Sequence, residues 1–144
     1  MSQTPQPPPL LYVVKRLEQA IRSHLDELLR ASDITALQYT ALTVLERHDA
    51  ISSAQLARDS FVTAQSMADL VAALERQGLI SRAPHPESRR TLTLHLTERG
   101  QDLLTRVRPE VEALERSMTR GLTERQTQAF REGIDSCQDA LRRG

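Results

Sequence analysis

The chain has 144 residues, enough for one domain or one domain with dimerisation arms. Its 19 Lys and Arg balance its 19 Asp and Glu, which argues against an indiscriminate nucleic-acid coat and for local basic spots. Trp is absent and aromatics are 3% of the chain, so any core must be Leu, Val, Ile and Ala. With Cys137 the only cysteine, no intrachain disulfide can form. No signal peptide is visible and no apolar run approaches the ~20 residues of a membrane span, so the expected location is the cytoplasm.

Residues 1–9 are polar and proline-rich and read as a disordered or extended tail. From Leu10 a long helix is expected to about Arg30, with Leu10, Val14, Leu17, Ile21, Leu25 and Leu28 at near-heptad spacing. Leu11, Val13 and Leu29 widen the stripe beyond what one partner helix covers, which suits packing on its own domain and on a second chain. His24 sits at an otherwise apolar heptad position and reads as an interface histidine rather than a ligand.

Ala31 to Ile34 breaks the pattern. Thr35 and Gln38 then form a capping box that opens a helix to about Arg47, with Leu37, Ala41, Val44 and Leu45 as its buried side. Asp49 and Ala50 make a turn, and Ile51 can bridge to a later strand.

A short helix follows, opened by Ser52 with Gln55 and burying Leu56 and Ala57. Ser60-Phe61-Val62 is a tight turn whose Phe61 and Val62 are expected to pack beneath both flanking helices. Thr63 caps a second helix from Ala64 to Gln77. Met67, Leu70, Val71 and Leu74 form its apolar face; Gln65, Ser66, Ala68, Asp69, Ala72 and Arg76 form the opposite one. Gly78 is a left-handed C-cap. An ordinary helical hairpin packed in a core has the same pattern, so the helix pair alone decides nothing.

The next stretch adds the decisive element. Leu79 to Ala83 is strand-like. Pro84 to Arg90 holds two prolines and is expected to be an irregular loop. Thr91 to Leu96 alternates, with Leu92, Leu94 and Leu96 inward and Thr91, Thr93 and His95 outward. Paired arginines at a polar tip suit a phosphate backbone or a narrow minor groove. The alternative is a solvated loop whose arginines pair with Glu87 or Asp69.

Thr97 caps a further helix, with Glu98 well placed in its first turn. Leu104, Val107, Val111, Leu114 and Met118 make a dimer-type seam, and Pro109 predicts a kink near Thr105 to Val107. After Gly121, Thr123 and Gln126 make another capping box, and Phe130, Ile134, Cys137 and Leu141 carry the last helix. The expected fold is therefore mainly α with a small β-hairpin wing: a winged helix-turn-helix with long terminal dimerisation helices. Residues 10–144 form one domain, with a dimerisation helix over 10–30, the winged lobe over 35–96 and dimerisation helices over 97–143. A homodimer would present two reading helices roughly 34 Å apart to a palindromic site.

Three sets of residues now carry a resemblance. Gln77-Gly78-Leu79-Ile80-Ser81-Arg82, then Glu87-Ser88-Arg89-Arg90, then Leu94-His95-Leu96-Thr97-Glu98-Arg99-Gly100 resemble the wing signature of the MarR family (multiple-antibiotic-resistance regulators). Ser53-Ala54-Gln55-Leu56-Ala57 and Thr63-Ala64-Gln65-Ser66-Met67 resemble its two helix openings more weakly. The resemblance implies a homodimeric transcription regulator, usually a repressor of a palindromic double-stranded operator, released by a small aromatic or phenolic effector.

By position the resemblance implies DNA contact by Ala64, Gln65, Ser66 and Asp69 on the second helix and Arg89 on the wing; Ser53, Thr63, Arg76, His85 and Arg90 complete the candidate set. Arg89 would enter the minor groove, and Arg90 would pair with an acid and hold the wing. The chain departs from the family in having His85 and Ser88 where acids are common, and Asp69 on the reading helix. An acid there weakens phosphate binding unless it accepts from a cytosine amino group or pairs with Arg90. Tyr12, Tyr39 and His48 are the candidate effector residues, each more readily explained as plain packing.

Three other functions compete with this reading. Enzymatic catalysis has no support: His24, His48, His85 and His95 are scattered, no His/Cys/acid cluster has metal spacing, and no glycine-rich loop cradles a phosphate. No metal or cofactor is expected. A winged helix serving only protein contacts is the second alternative. Redox sensing through Cys137 is the third, disfavoured because the thiol falls on an apolar stripe.

Overall fold

The structure, a computed structural model, describes residues 4–48, 50–60 and 62–144, and of Arg89 the backbone only. The start of the tail, the Asp49 half of the expected turn, the packing of Phe61 and the Arg89 side chain lie outside the described residues.

Residues 4–9 carry no regular structure. The elements then run α1 (Leu10–Leu29), a single 3-10 turn (Arg30–Ser32), α2 (Ala36–Arg47), α3 (Ser53–Asp59), α4 (Ala64–Arg76), β1 (Ile80–His85), β2 (Ser88–Leu96), α5 (Glu98–Met118) and α6 (Glu124–Arg143). The chain divides into two compact units, one ending at Pro109 and one spanning Glu110–Gly144.

Local chemistry explains where the helices begin. Thr35 and Thr123 each form a complete capping box with Gln38 and Gln126. Ser52 and Thr63 each accept a hydrogen bond from the backbone N–H three residues on. A long-range partner joins them at α2: Asp26 Oδ1 accepts from the Ala36 N–H at 2.7 Å, pinning α1 to the start of α2. Asp33, at φ 56°, supplies the left-handed step between them.

The core of the first unit is built from Leu29, Leu42, Leu56, Met67, Val71, Leu74 and Leu94, all fully buried. Met67, Val71 and Leu74 are the expected inner face of α4. In α2 the expectation is corrected: Leu37 is 44% exposed, and Leu42 occupies the core instead. Only Leu29 of α1 is buried, and the side chains of Leu10, Leu11, Tyr12, Val13 and Val14 are exposed.

The hairpin differs from its expected form. The antiparallel ladder pairs Ile80 with Leu96 through Pro84 with Leu92, then His85 with Ser88. Pro84 thus lies within a strand, not in a loop. Ile51 bridges to Leu94 on the other side of β2, its carbonyl accepting from the Leu94 N–H at 2.8 Å. That leaves β1 as an outer edge, where a residue without an N–H is tolerated. Pro84 and His85 are adjacent, whereas three residues (89–91) separate Ser88 from Leu92, so the register breaks there. The paired arginines therefore sit on an irregularity within β2 rather than in a long loop.

The alternation in β2 is also corrected. Leu92 is 46% exposed, while Thr93 is buried. The Thr93 hydroxyl donates to the Ala83 carbonyl at 3.1 Å and lies 2.8 Å from His95 Nε2, which satisfies a polar group that burial would otherwise penalise.

The hairpin base is locked to α5 by backbone contacts. Thr97 donates from its N–H to the Leu79 carbonyl at 3.1 Å and from its hydroxyl to the Gly78 carbonyl at 2.7 Å. Gly100 packs so tightly there that a Cβ would stand 2.3 Å from the Leu79 oxygen. α5 runs through Pro109 as one continuous helix to Met118. In α6 no residue is buried within the chain.

Candidate nucleic-acid interface

The Thr63 cap sets the start of α4. Its Oγ1 accepts from the Ser66 N–H at 3.1 Å and donates to the Ser66 hydroxyl at 3.0 Å. Met67, Val71 and Leu74 draw one face inward, so the helical period turns Ala64, Gln65, Ser66, Asp69 and Arg76 outward, and all five are exposed. The first turn of α4 also presents backbone N–H groups and the positive end of the helix dipole, a setting suited to a phosphate. Ser53, at the first position of α3, is half-buried.

Beside this face stands the wing. His85 pairs with Ser88 across the tip, and its Nδ1 accepts from the Glu87 N–H at 3.1 Å, closing the turn over Pro86 and Glu87. Arg90 is exposed on the irregular part of β2. No ion pair joins Asp69 to Arg90 among the described residues.

Two contacts escaped the sequence. Arg82 Nε donates to Glu75 Oε2 at 2.7 Å, tying the wing to the last turn of α4. The pair crosses a turn, so no helical spacing betrays it. On α3, Arg58 donates to Gln55 Oε1 at 2.7 Å while Gln55 donates to Asp59 at 2.8 Å. This relay of i,i+3 and i,i+4 neighbours was legible in principle. It holds a guanidinium on the exposed side of α3.

The three candidate effector residues lie on α1 and on or just after α2. Tyr12 is exposed, with the Arg16 guanidinium 5.8 Å from its ring centroid. His48 is exposed at the end of α2. Tyr39 is half-buried, and desolvation pushes its hydroxyl above its ordinary value of 10.0; nearby Arg108 pulls it down and Glu46 pushes it up. Glu46 in turn accepts from Gln101 and Arg108 of α5, both at 2.8 Å. No hydrogen bond or ring contact joins Tyr12, Tyr39 and His48 among the described residues, and none of them lines the open cleft of about 550 Å³ between α1 and α2. Cys137, expected on a covered stripe, is exposed within the chain.

Among the described residues no group of His, Cys, Asp and Glu is placed to hold a metal ion, and no helix is long and apolar enough to cross a membrane.

Comparison with known proteins agrees with this architecture. The sequence profile of the MarR family matches residues 32–91, from the 3-10 turn into β2. The HTH-type transcriptional repressor Rv2887 of Mycobacterium tuberculosis is 30% identical over 127 residues, covering 88% of this chain and 91% of that one. Two solved structures share the fold. One is the S. aureus MepR–DNA complex, with TM-score 0.83, 20% identity, and 93% and 99% of the two chains covered. The other is a mutant MarR from E. coli complexed with operator DNA, with TM-score 0.82, 22% identity, and 90% and 93% covered. The chain belongs to the MarR family, whose members are winged-helix transcriptional regulators and not enzymes.

Proposed function

We propose that the chain is a homodimeric repressor that binds a palindromic double-stranded operator and leaves it when a small effector binds. The observation that carries this reading is the shared exposure of Gln65, Ser66 and Asp69 on one side of a capped helix, with an arginine-bearing hairpin tied to that helix by Glu75 and Arg82. In this reading α4 enters the major groove with Ala64, Gln65, Ser66 and Asp69 toward base edges, and Thr63 and Ser53 approach phosphates. Arg76, His85, Arg89 and Arg90 meet the backbone or the adjacent minor groove. The repressor Rv2887 and the two DNA complexes support it by likeness.

Dimerisation is supported by the outer helices. Leu10, Leu11 and Val14 on α1, and Phe130, Ile134 and Leu141 on α6, form apolar faces that the chain leaves open. A second copy would cover both.

Selection of bound sequences from random duplexes tests the reading: a palindrome is expected. Arg89→Ala should weaken binding across all sequences and flatten the salt slope by about one unit. Gln65→Ala should instead relax base preference, at about 1–3 kcal/mol per lost bidentate contact. Wild-type behaviour from both variants would overturn the groove assignment.

A further inference from the structure

A second cleft, of about 360 Å³, opens where the turn after α1, the end of α4 and the first turns of α5 meet. Its volume lies at the lower end of the roughly 300–1,000 Å³ typical of ligand pockets. Four charged residues line it: Asp33 from the turn, and Arg99, Asp102 and Arg106 from α5. The three on α5 are spaced i, i+3 and i+7, so they share one helix face, with about 10.5 Å of rise between the two arginines. Ser32 and the buried Leu79 and Leu103 also line it. Gln77, the C-cap of α4, also borders the cleft, and its side-chain amide donates to the Asp33 carbonyl at 2.8 Å.

Two arginines and two aspartates sum to zero formal charge. Among the described residues none of the four enters an ion pair with another. A simple anion in this cleft would sit beside two carboxylates, and a simple cation beside two guanidiniums. A molecule with one charge of each sign, spaced a few ångströms apart, meets both demands, and a short apolar tail suits the two leucines.

We propose that this cleft binds a small zwitterion of the aliphatic α-amino-acid class. Its carboxylate faces Arg99 and Arg106, its ammonium faces Asp33 and Asp102, and its side chain lies over Leu79 and Leu103. Binding at this site is independent of DNA. Its bearing on DNA rests on the proposed function, because the cleft borders the C-terminal end of the reading helix.

The test is amide NMR on the full chain, titrated with L-alanine, L-valine and L-leucine. Two half-probes accompany them: 4-methylpentanoate, which lacks the ammonium, and isopentylamine, which lacks the carboxylate. Saturable shifts at Gly78, Leu79, Arg99 and Asp102 are expected with at least one amino acid, and about tenfold weaker binding with either half-probe. Arg106→Gln and Asp102→Asn should each weaken the amino acid about tenfold while the remaining spectrum stays folded and unchanged. The proposal is overturned if no amino acid gives saturable shifts, if the half-probes bind equally well, or if both folded variants bind as wild type does. Retardation of duplex DNA by the unliganded protein, run in parallel, reports on the DNA reading separately.

Discussion

The two compact units solve the same problem in opposite ways. In the first, α2, α3, α4 and the hairpin bury their apolar faces on one another, and Leu42, Leu56, Met67, Leu74 and Leu94 lose contact with solvent. In the second, Phe130, Ile134, Cys137 and Leu141 recur at i, i+4, i+7 and i+11 on α6, yet Phe130 is 38%, Ile134 43% and Leu141 82% exposed. Both stripes have helical periodicity. The contrast teaches that such a stripe announces a face to be covered and says nothing about whether the cover comes from the same chain.

The strongest way to break this contrast is to empty a core position. Leu74→Ala should cost about 2–5 kcal/mol by creating a cavity. Its unfolding midpoint should fall by the same increment at low and high protein concentration; a loss confined to low concentration would mean that the lobe is not self-sufficient.

The matching change in the second unit should act on association. Phe130→Ala combined with Ile134→Ala should weaken self-association about 100-fold, about 2.7 kcal/mol. Sedimentation across a dilution series measures this. Unaltered association would remove α6 from the proposed dimer interface.

Sharpening the comparison within the lobe, Gly100→Ala places a Cβ against the Leu79 oxygen and should cost about 1–3 kcal/mol. Thermal unfolding that matches wild type would show that the hairpin base and α5 can part without strain. The smallest effect is expected from Glu75→Gln. The Glu75–Arg82 pair is solvent-exposed, so denaturant titration should register no more than about 1 kcal/mol. A larger loss would mean that the wing depends on that pair for its attachment.

Much of the fold was legible from local chemistry. Thr35, Ser52, Thr63, Thr97 and Thr123 announce their helices because a hydroxyl before a helical run has only nearby N–H groups to satisfy. Gly78 announces the end of α4 because its φ of 74° suits glycine. The outer face of α4 followed from the period of its inner one. The hairpin was harder. Two prolines argued for a loop, but Pro84 is tolerated on an edge strand, and only the pairing of β2 with Ile51 makes β1 the edge. Thr93 was expected to face solvent, yet it is buried, and its hydroxyl is satisfied by donating to the Ala83 carbonyl.

The chain by itself thus determined which segments are helical, where they start and which faces are apolar, because capping and periodicity act within a few residues. Tertiary structure alone decided that Gly100 must be glycine, that Glu75 holds Arg82, and that Asp33, Arg99, Asp102 and Arg106 ring one cleft. Those relations join residues distant in sequence, and no local spacing encodes a distance that only the packing of α4, the hairpin and α5 creates.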